Sequence, residues 1–286
     1  MPEFLLHKIP IGQWAKVFVE FLTDNFYEEF RLFSDGLEWF IQGLIFLLSA
    51  VPPVLLILII CALSYFLHRN WKLVIGIAVA LLLIVNMGYW DRTLETVALV
   101  VYSTLISCIL GIPIGIAAAH HRWLYTLLRP ILDLMQTIPT FVYLIPTLML
   151  FGLGMVPGLI STVIFAIPAP IRLTQLGIIS VPKDLLDAGK AFGASRLQQL
   201  WKVELPHALP SIMAGLTQCI MLSLSMVVIA ALVGADGLGK PVVRALNSVN
   251  IAQGIEAGLA IVIVAIVLDR LLKQPGQSIE GVEAGG

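Results

Sequence analysis

The chain has 286 residues, 59% of them hydrophobic and only 12% charged, with a mean hydropathy of +0.96. Soluble domains carry about 25% charged residues, so this composition excludes one and points to a single polytopic membrane domain. The net charge of −1 offers no basic field for nucleic acid, and the three cysteines, Cys61, Cys108 and Cys219, lie inside apolar runs without metal-ligand or disulfide spacing.

From Met1 to Pro10 the chain mixes Glu3, His7 and Lys8 with short apolar pieces, which is not the layout of a cleaved signal peptide. Trp14, Val17, Phe18, Phe21, Leu22, Phe26, Phe30 and Phe33 then recur at helical spacing. Lys16, Glu20, Asp24, Glu28, Arg31 and Asp35 fill the opposite face. The pattern predicts an amphipathic helix within an N-terminal segment, residues 1–40. Such a helix lies either in the membrane interface or on the flank of a bundle, and periodicity does not separate the two.

A crossing helix needs about 20 mostly apolar residues. Charge-free windows predict crossings at Ile41 to Leu67, Leu73 to Trp90 and Thr96 to Ala119. The charge-free stretch from Leu134 to Ile171 is too long for one, and the turn-forming run Gly152 to Gly158 divides it into two. Ala208 to Ala235 and Ile251 to Leu272 complete the set, the last with Glu256 and Asp269 near opposite interfaces. The predicted fold class is therefore all-α: a polytopic membrane helix bundle of about seven transmembrane helices over residues 41–272. Residues 273–286 have no apolar period and read as a disordered tail.

With that count, the basic connections around Arg69 and Lys72, around Arg122 and Arg129, from Lys183 to Lys202, and at Arg270 and Lys273 share one side. The bias of Lys and Arg toward cytoplasmic loops makes that side the cytoplasm, with the N-terminus outside and the C-terminus inside.

The one large polar segment, the loop 181–210, falls on the cytoplasmic side. Pro182 stands where a helix can begin, and Lys183 to Ala188 follow without a break. Gly189 and Gly193 interrupt the helix, and Leu205-Pro206 ends a second helical piece. Two short helices joined at a small, exposed glycine corner are thus presented to the cytoplasm.

Other polar residues have narrower readings. Gln136, Pro139 and Pro146 interrupt the fourth crossing, as breaks do where they line a cavity or where a proline kink serves packing. Asp133 is read as the partner of Arg129 one turn earlier, and Arg172 as a cytoplasmic-side anchor. Ser223, Ser225 and Met226 sit among small residues in an apolar helix, suited to helix packing or to a solute path. His120-His121 is no metal site, because adjacent residues do not face one another on a helix. The run Gly234 to Gly239 is no nucleotide loop, and no phosphate-binding P-loop sequence, catalytic triad or carboxylate pair occurs. The charge-free crossings lack the buried ionisable residues that an ion-driven carrier would use.

The run Asp187-Ala188-Gly189, then Gly193, then Val203-Glu204-Leu205-Pro206 resembles the EAA loop of ABC importer permeases, with Asp where Glu is usual and Gly189 where Ala or Ser is usual. Arg129 to Pro146, Ile167 to Thr174, Leu224 to Gly234 and Glu256 to Leu271 are similar to the glycine betaine/proline/choline permeases. The resemblance implies a coupling helix that docks into an ATPase subunit through Asp187, Ala188, Gly189, Phe192, Gly193, Ala194, Leu205 and Pro206. It further implies a permease homodimer, two ATPases that bind ATP and Mg, no cofactor on this chain, and an extracytoplasmic solute-binding protein docking near Asp236 to Lys240. A solute path would include Gln136, Pro139, Phe141, Tyr143, Ser223, Ser225 and Met226, where aromatic faces would meet a quaternary ammonium.

Overall fold

The structure, a computed structural model, describes residues 10–272; the expected disordered tail, 273–286, lies outside them. Helix α1 runs from Ile11 to Ser49 with a kink at Phe26, whose backbone is non-helical (φ −128°, ψ 23°). The predicted amphipathic helix is therefore continuous with what was expected to begin the first crossing. That crossing, Ile41 to Leu67, is not one helix. Proline has no N–H to donate and holds the preceding residue out of the helical region, so Pro52-Pro53 ends one helix and starts the next. Helix α2 spans Pro53–His68 and pairs as a hairpin with α3, Trp71–Asn86. Arg69 turns the corner in the left-handed region (φ 47°), and the Asn70 side chain accepts from the Lys72 amide at 3.0 Å.

Helix α4, Trp90–His120, is the axis of the bundle. Against it pack α7 (Met155–Ala166), α8 (Pro168–Ile179) and α11 (Leu205–Ala230), with α13 (Ile251–Leu272) beside α11. Helices α4 and α8 approach closely at Gly115, where a Cβ would lie 2.6 Å from the Ile171 carbonyl oxygen. Only glycine lets the two backbones approach so far. Between α4 and α7 the chain forms α5 (Arg122–Thr137), a 3₁₀ turn at Thr140–Tyr143 and α6 (Leu144–Phe151). The chain bends by 103° between α5 and this second piece.

Among the described residues, five helical stretches are long and apolar enough to cross a membrane, and the bent pair makes a sixth. At 16 residues each, α2 and α3 are shorter, about 24 Å by helical rise. The all-α membrane bundle expected from the sequence is thus present, with one long N-terminal helix added and two crossings replaced by short ones. Helix α1 is attached by few polar contacts. Ser34 donates to the Phe151 carbonyl at 3.4 Å, Phe30 meets Phe151 edge-on at 5.3 Å, and the Tyr102 hydroxyl donates to the Phe40 carbonyl at 2.8 Å. Trp14, Phe18 and Phe21 remain exposed.

Candidate functional site

The loop 181–210 folds into two helices at a sharp corner. Helix α9, Lys183–Ala191, starts directly after Pro182 and carries Gly189 inside it rather than at a break. Its end is made by Gly193 at φ +73°, with the Ala194 amide donating to the Gly189 carbonyl at 3.0 Å and the Gly193 amide to the Lys190 carbonyl at 2.9 Å. This is a Schellman-type closure, and the left-handed residue it needs is the one that sequence singled out. Ser195 then caps α10 (Arg196–Gln199) reciprocally with Gln198. The corner leaves Phe192 92% exposed, with Leu197 and Trp201 exposed beyond it.

Leu205-Pro206 does not end a helix, contrary to expectation. A π-helical turn, Leu200–Glu204, joins α10 to α11, and Pro206 sits in the first turn of α11. The wider i→i+5 bonding of that turn absorbs the N–H that proline lacks. Arg196 to Val233 is consequently one 38-residue helical stretch, so the corner is rigidly continuous with a crossing helix. Of the eight expected coupling residues, Asp187, Ala188, Phe192 and Gly193 share the exposed corner, with Gly189 and Ala194 half-buried beneath it. Leu205 and Pro206 stand apart, at the root of α11.

Behind the corner is a cleft of about 720 Å³ between α4 and α9–α10, lined by His120, Leu186, Lys190, Arg196 and Glu204 among others. The His120 Nε2 lies 2.9 Å from the Glu204 carboxylate, at an angle that is not a hydrogen bond's. Its Nδ1 lies 2.9 Å from the Ile116 carbonyl. Asp133 does not pair with Arg129: its carboxylate accepts from the Arg172 guanidinium at 2.6 Å, tying α5 to α8. Because α5 bends away instead of continuing into α6, Asp133 is carried across to a distant helix.

The interruption of the fourth crossing is at Ile138-Pro139 alone, and Pro146 is accommodated near the start of α6. Tyr143 donates to the Met135 carbonyl at 2.8 Å, satisfying an orphan acceptor at the end of α5. Gln136 is half-buried and Phe141 is 58% exposed. The three candidates on α11 do not share a face. Ser223 and Met226 are fully buried, Ser223 near Cys219 with Thr104, Ser107 and Cys108 of α4. Ser225 is on the opposite, exposed face and donates to the Met221 carbonyl at 3.0 Å.

At the other end of the bundle Arg92 bridges Asp236 at 3.0 Å and Glu95 at 3.2 Å, while Lys240 also closes on Asp236. Thr96 accepts from the Leu238 amide at 2.8 Å. Helix α12, Gly239–Asn247, follows this clamp and returns the chain to α13.

A family described as the binding-protein-dependent transport system inner membrane component matches residues 111–273, which include the bend, the corner and the loop side of the clamp. The chain belongs to that family. Similar chains within it include the glycine betaine transport system permease protein of Bacillus subtilis, 47% identical over 93% of this chain and 94% of that one. The glycine betaine/carnitine transport permease protein of Listeria monocytogenes is 42% identical over 92% and 94%. The glycine betaine/proline betaine permease of Escherichia coli is 40% identical over 94% of this chain and 76% of that one. In fold, an inward-facing methionine ABC transporter chain aligns with a TM-score of 0.56 at 24% identity, covering 62% of this chain and 91% of that one.

As a multi-pass inner-membrane permease, the protein exposes features that sequence reasoning passed over. Leu197 and Trp201 carry the i, i+4 spacing of an exposed apolar stripe beside Phe192. The clamp of Arg92 onto Asp236 had no such signal, since 144 residues separate its partners.

Proposed function

We propose that this permease is the membrane subunit of an ATP-driven importer for a compatible solute of the glycine betaine class, energised by a separate ATPase. The observation that carries this reading is the exposed Phe192, held at the corner's apex by the Gly193 turn and joined through α10 to the crossing helix α11. An apolar knob at a rigid corner suits docking into a groove of another subunit. The names of the similar permeases support the solute class.

In this mechanism two permease copies each receive one ATPase. Binding of ATP and Mg by the ATPase pair draws the corners together. The unbroken stretch from Arg196 to Val233 carries that displacement across the membrane and tips the path from inward- to outward-facing. A solute-binding protein then releases its ligand at the outer face beside the Asp236 to Lys240 clamp. The basic loops favour an orientation with the corner and the C-terminus in the cytoplasm. ATP hydrolysis belongs to the partner, and this chain supplies the path, set among membrane lipids.

Reconstitution in vesicles tests the proposal. ATP-dependent uptake of labelled glycine betaine is expected with the ATPase and binding protein present. Uptake that persists without the ATPase or without ATP rejects it.

A further inference from the structure

Helix α11 presents an exposed stripe, Ala214, Gln218, Met221 and Ser225, at the three- and four-residue spacing of one helical face. Gln218 is the unusual member. It is the one amide side chain between Ala208 and Ala235, a stretch with no Asp, Glu, Lys or Arg, and it makes no hydrogen bond within the described residues. It lies twelve residues from Ala230, the last residue of α11, so about 18 Å in by helical rise. In the hydrocarbon of a bilayer an unsatisfied amide is disfavoured. Gln218 therefore faces protein or a polar cargo.

The bend before α6 reaches the same depth. Phe151 and the end of α11 are level, because the Gly154 amide donates to the Val233 carbonyl at 3.0 Å. Phe141 precedes Phe151 by the rest of the 3₁₀ turn and α6, about 16–17 Å, which is close to the same depth. The 3₁₀ turn packs against α11, and it carries the exposed ring of Phe141 beside exposed Thr137 and half-buried Gln136 and Thr140. Neutral polar groups and an aromatic face thus lie at similar depth on packed elements, and the ion pair one helical turn away, Asp133 with Arg172, is internally neutralised. That suits a solute with both charges internal and poorly suits one with a net charge.

We propose that Gln218 contacts the transported solute, its amide N–H donating to the carboxylate of a net-neutral zwitterion whose cationic end is met by the Phe141 ring. The proposal rests on the importer reading above and adds to it the residue that recognises the carboxylate.

The test is betaine uptake by the complete transporter in vesicles, with Gln218→Leu and Gln218→Asn. The leucine variant is expected to assemble as wild type and to lose betaine uptake by about tenfold, the asparagine variant restoring part of it. Unchanged uptake by Gln218→Leu overturns the proposal. So does loss of permease assembly in Gln218→Leu, which would make the amide a bond between the two copies. A wild-type complex that moves no betaine defeats the importer reading itself. Normal wild-type uptake with an unaffected leucine variant defeats only this assignment.

Discussion

Arg172 of α8 and Asp133 of α5 meet at 2.6 Å across 39 residues of chain, and this contact ties the first arm of the bent pair to the bundle. Both side chains are partly exposed, at 35% and 53%. Water screens such a pair, so its worth is about 0.5–1 kcal/mol. A double-mutant cycle with Asp133→Asn and Arg172→Gln, read by thermal unfolding in detergent, should return a coupling of that size. A cycle using Arg129 in place of Arg172 should return less; equal or larger coupling to Arg129 would mean that Asp133 pairs within α5 instead of across to α8.

The corner predicts a split between two neighbours. Phe192 is 92% exposed, so Phe192→Ser should leave the permease folded while weakening co-purification with its ATPase. Gly193 is at φ +73°, where a β-branched residue is strained by about 1–2 kcal/mol. Gly193→Val should therefore distort the closure and reduce both ATPase association and uptake. Wild-type association in both variants would show that the corner is not the docking element.

Two glycines should respond to alanine in opposite directions. At Gly115 an added Cβ would lie 2.6 Å from the Ile171 carbonyl and 2.8 Å from Thr174 Cβ, so α4 and α8 must separate. Overpacking of this kind costs about 1–3 kcal/mol, and Gly115→Ala should lower the melting temperature. At Gly189 the new atom would meet only Val203 Cγ2, at 3.9 Å, inside a regular helix. Gly189→Ala should stabilise α9 by up to about 1 kcal/mol. Parallel thermal melts decide both.

These residues also mark what could be read from sequence. Gly193 was legible because a left-handed helix end admits few residues besides glycine, and the corner followed from it. The bundle was legible because a charge-free window long enough to cross a bilayer leaves a helix no polar face to turn toward water. Breaks inside those windows were harder to place. Pro52-Pro53 splits an apolar run that looks unbroken by charge alone, and of Pro139 and Pro146 only the first ends a helix. Faces were harder still. In a helix apolar all round, periodicity does not distinguish buried Ser223 and Met226 from exposed Gln218 and Ser225. The partner of Asp133 was beyond reach, since local spacing favours Arg129 and only the 103° bend brings in Arg172.

The clamp on Asp236 leads to a dependence on salt. Asp236 accepts from Arg92 at 3.0 Å and also holds Lys240, so one carboxylate pins the start of α4 to the loop ahead of α12. All three side chains are 38–41% exposed, which leaves the pairs open to screening. At 0.15 M salt the screening length is about 8 Å, and at 1 M about 3 Å, so the clamp should weaken progressively between them. Asp236→Asn removes the charge but keeps the shape, leaving Arg92 with Glu95 and Lys240 without its Asp236 partner. The variant should be less stable than wild type by about 1 kcal/mol at low salt, and the gap should close as salt rises. Melting temperatures of the two proteins across a salt series measure this directly. Curves that run parallel would mean that the clamp is held by the Thr96 bond to the Leu238 amide rather than by its charges.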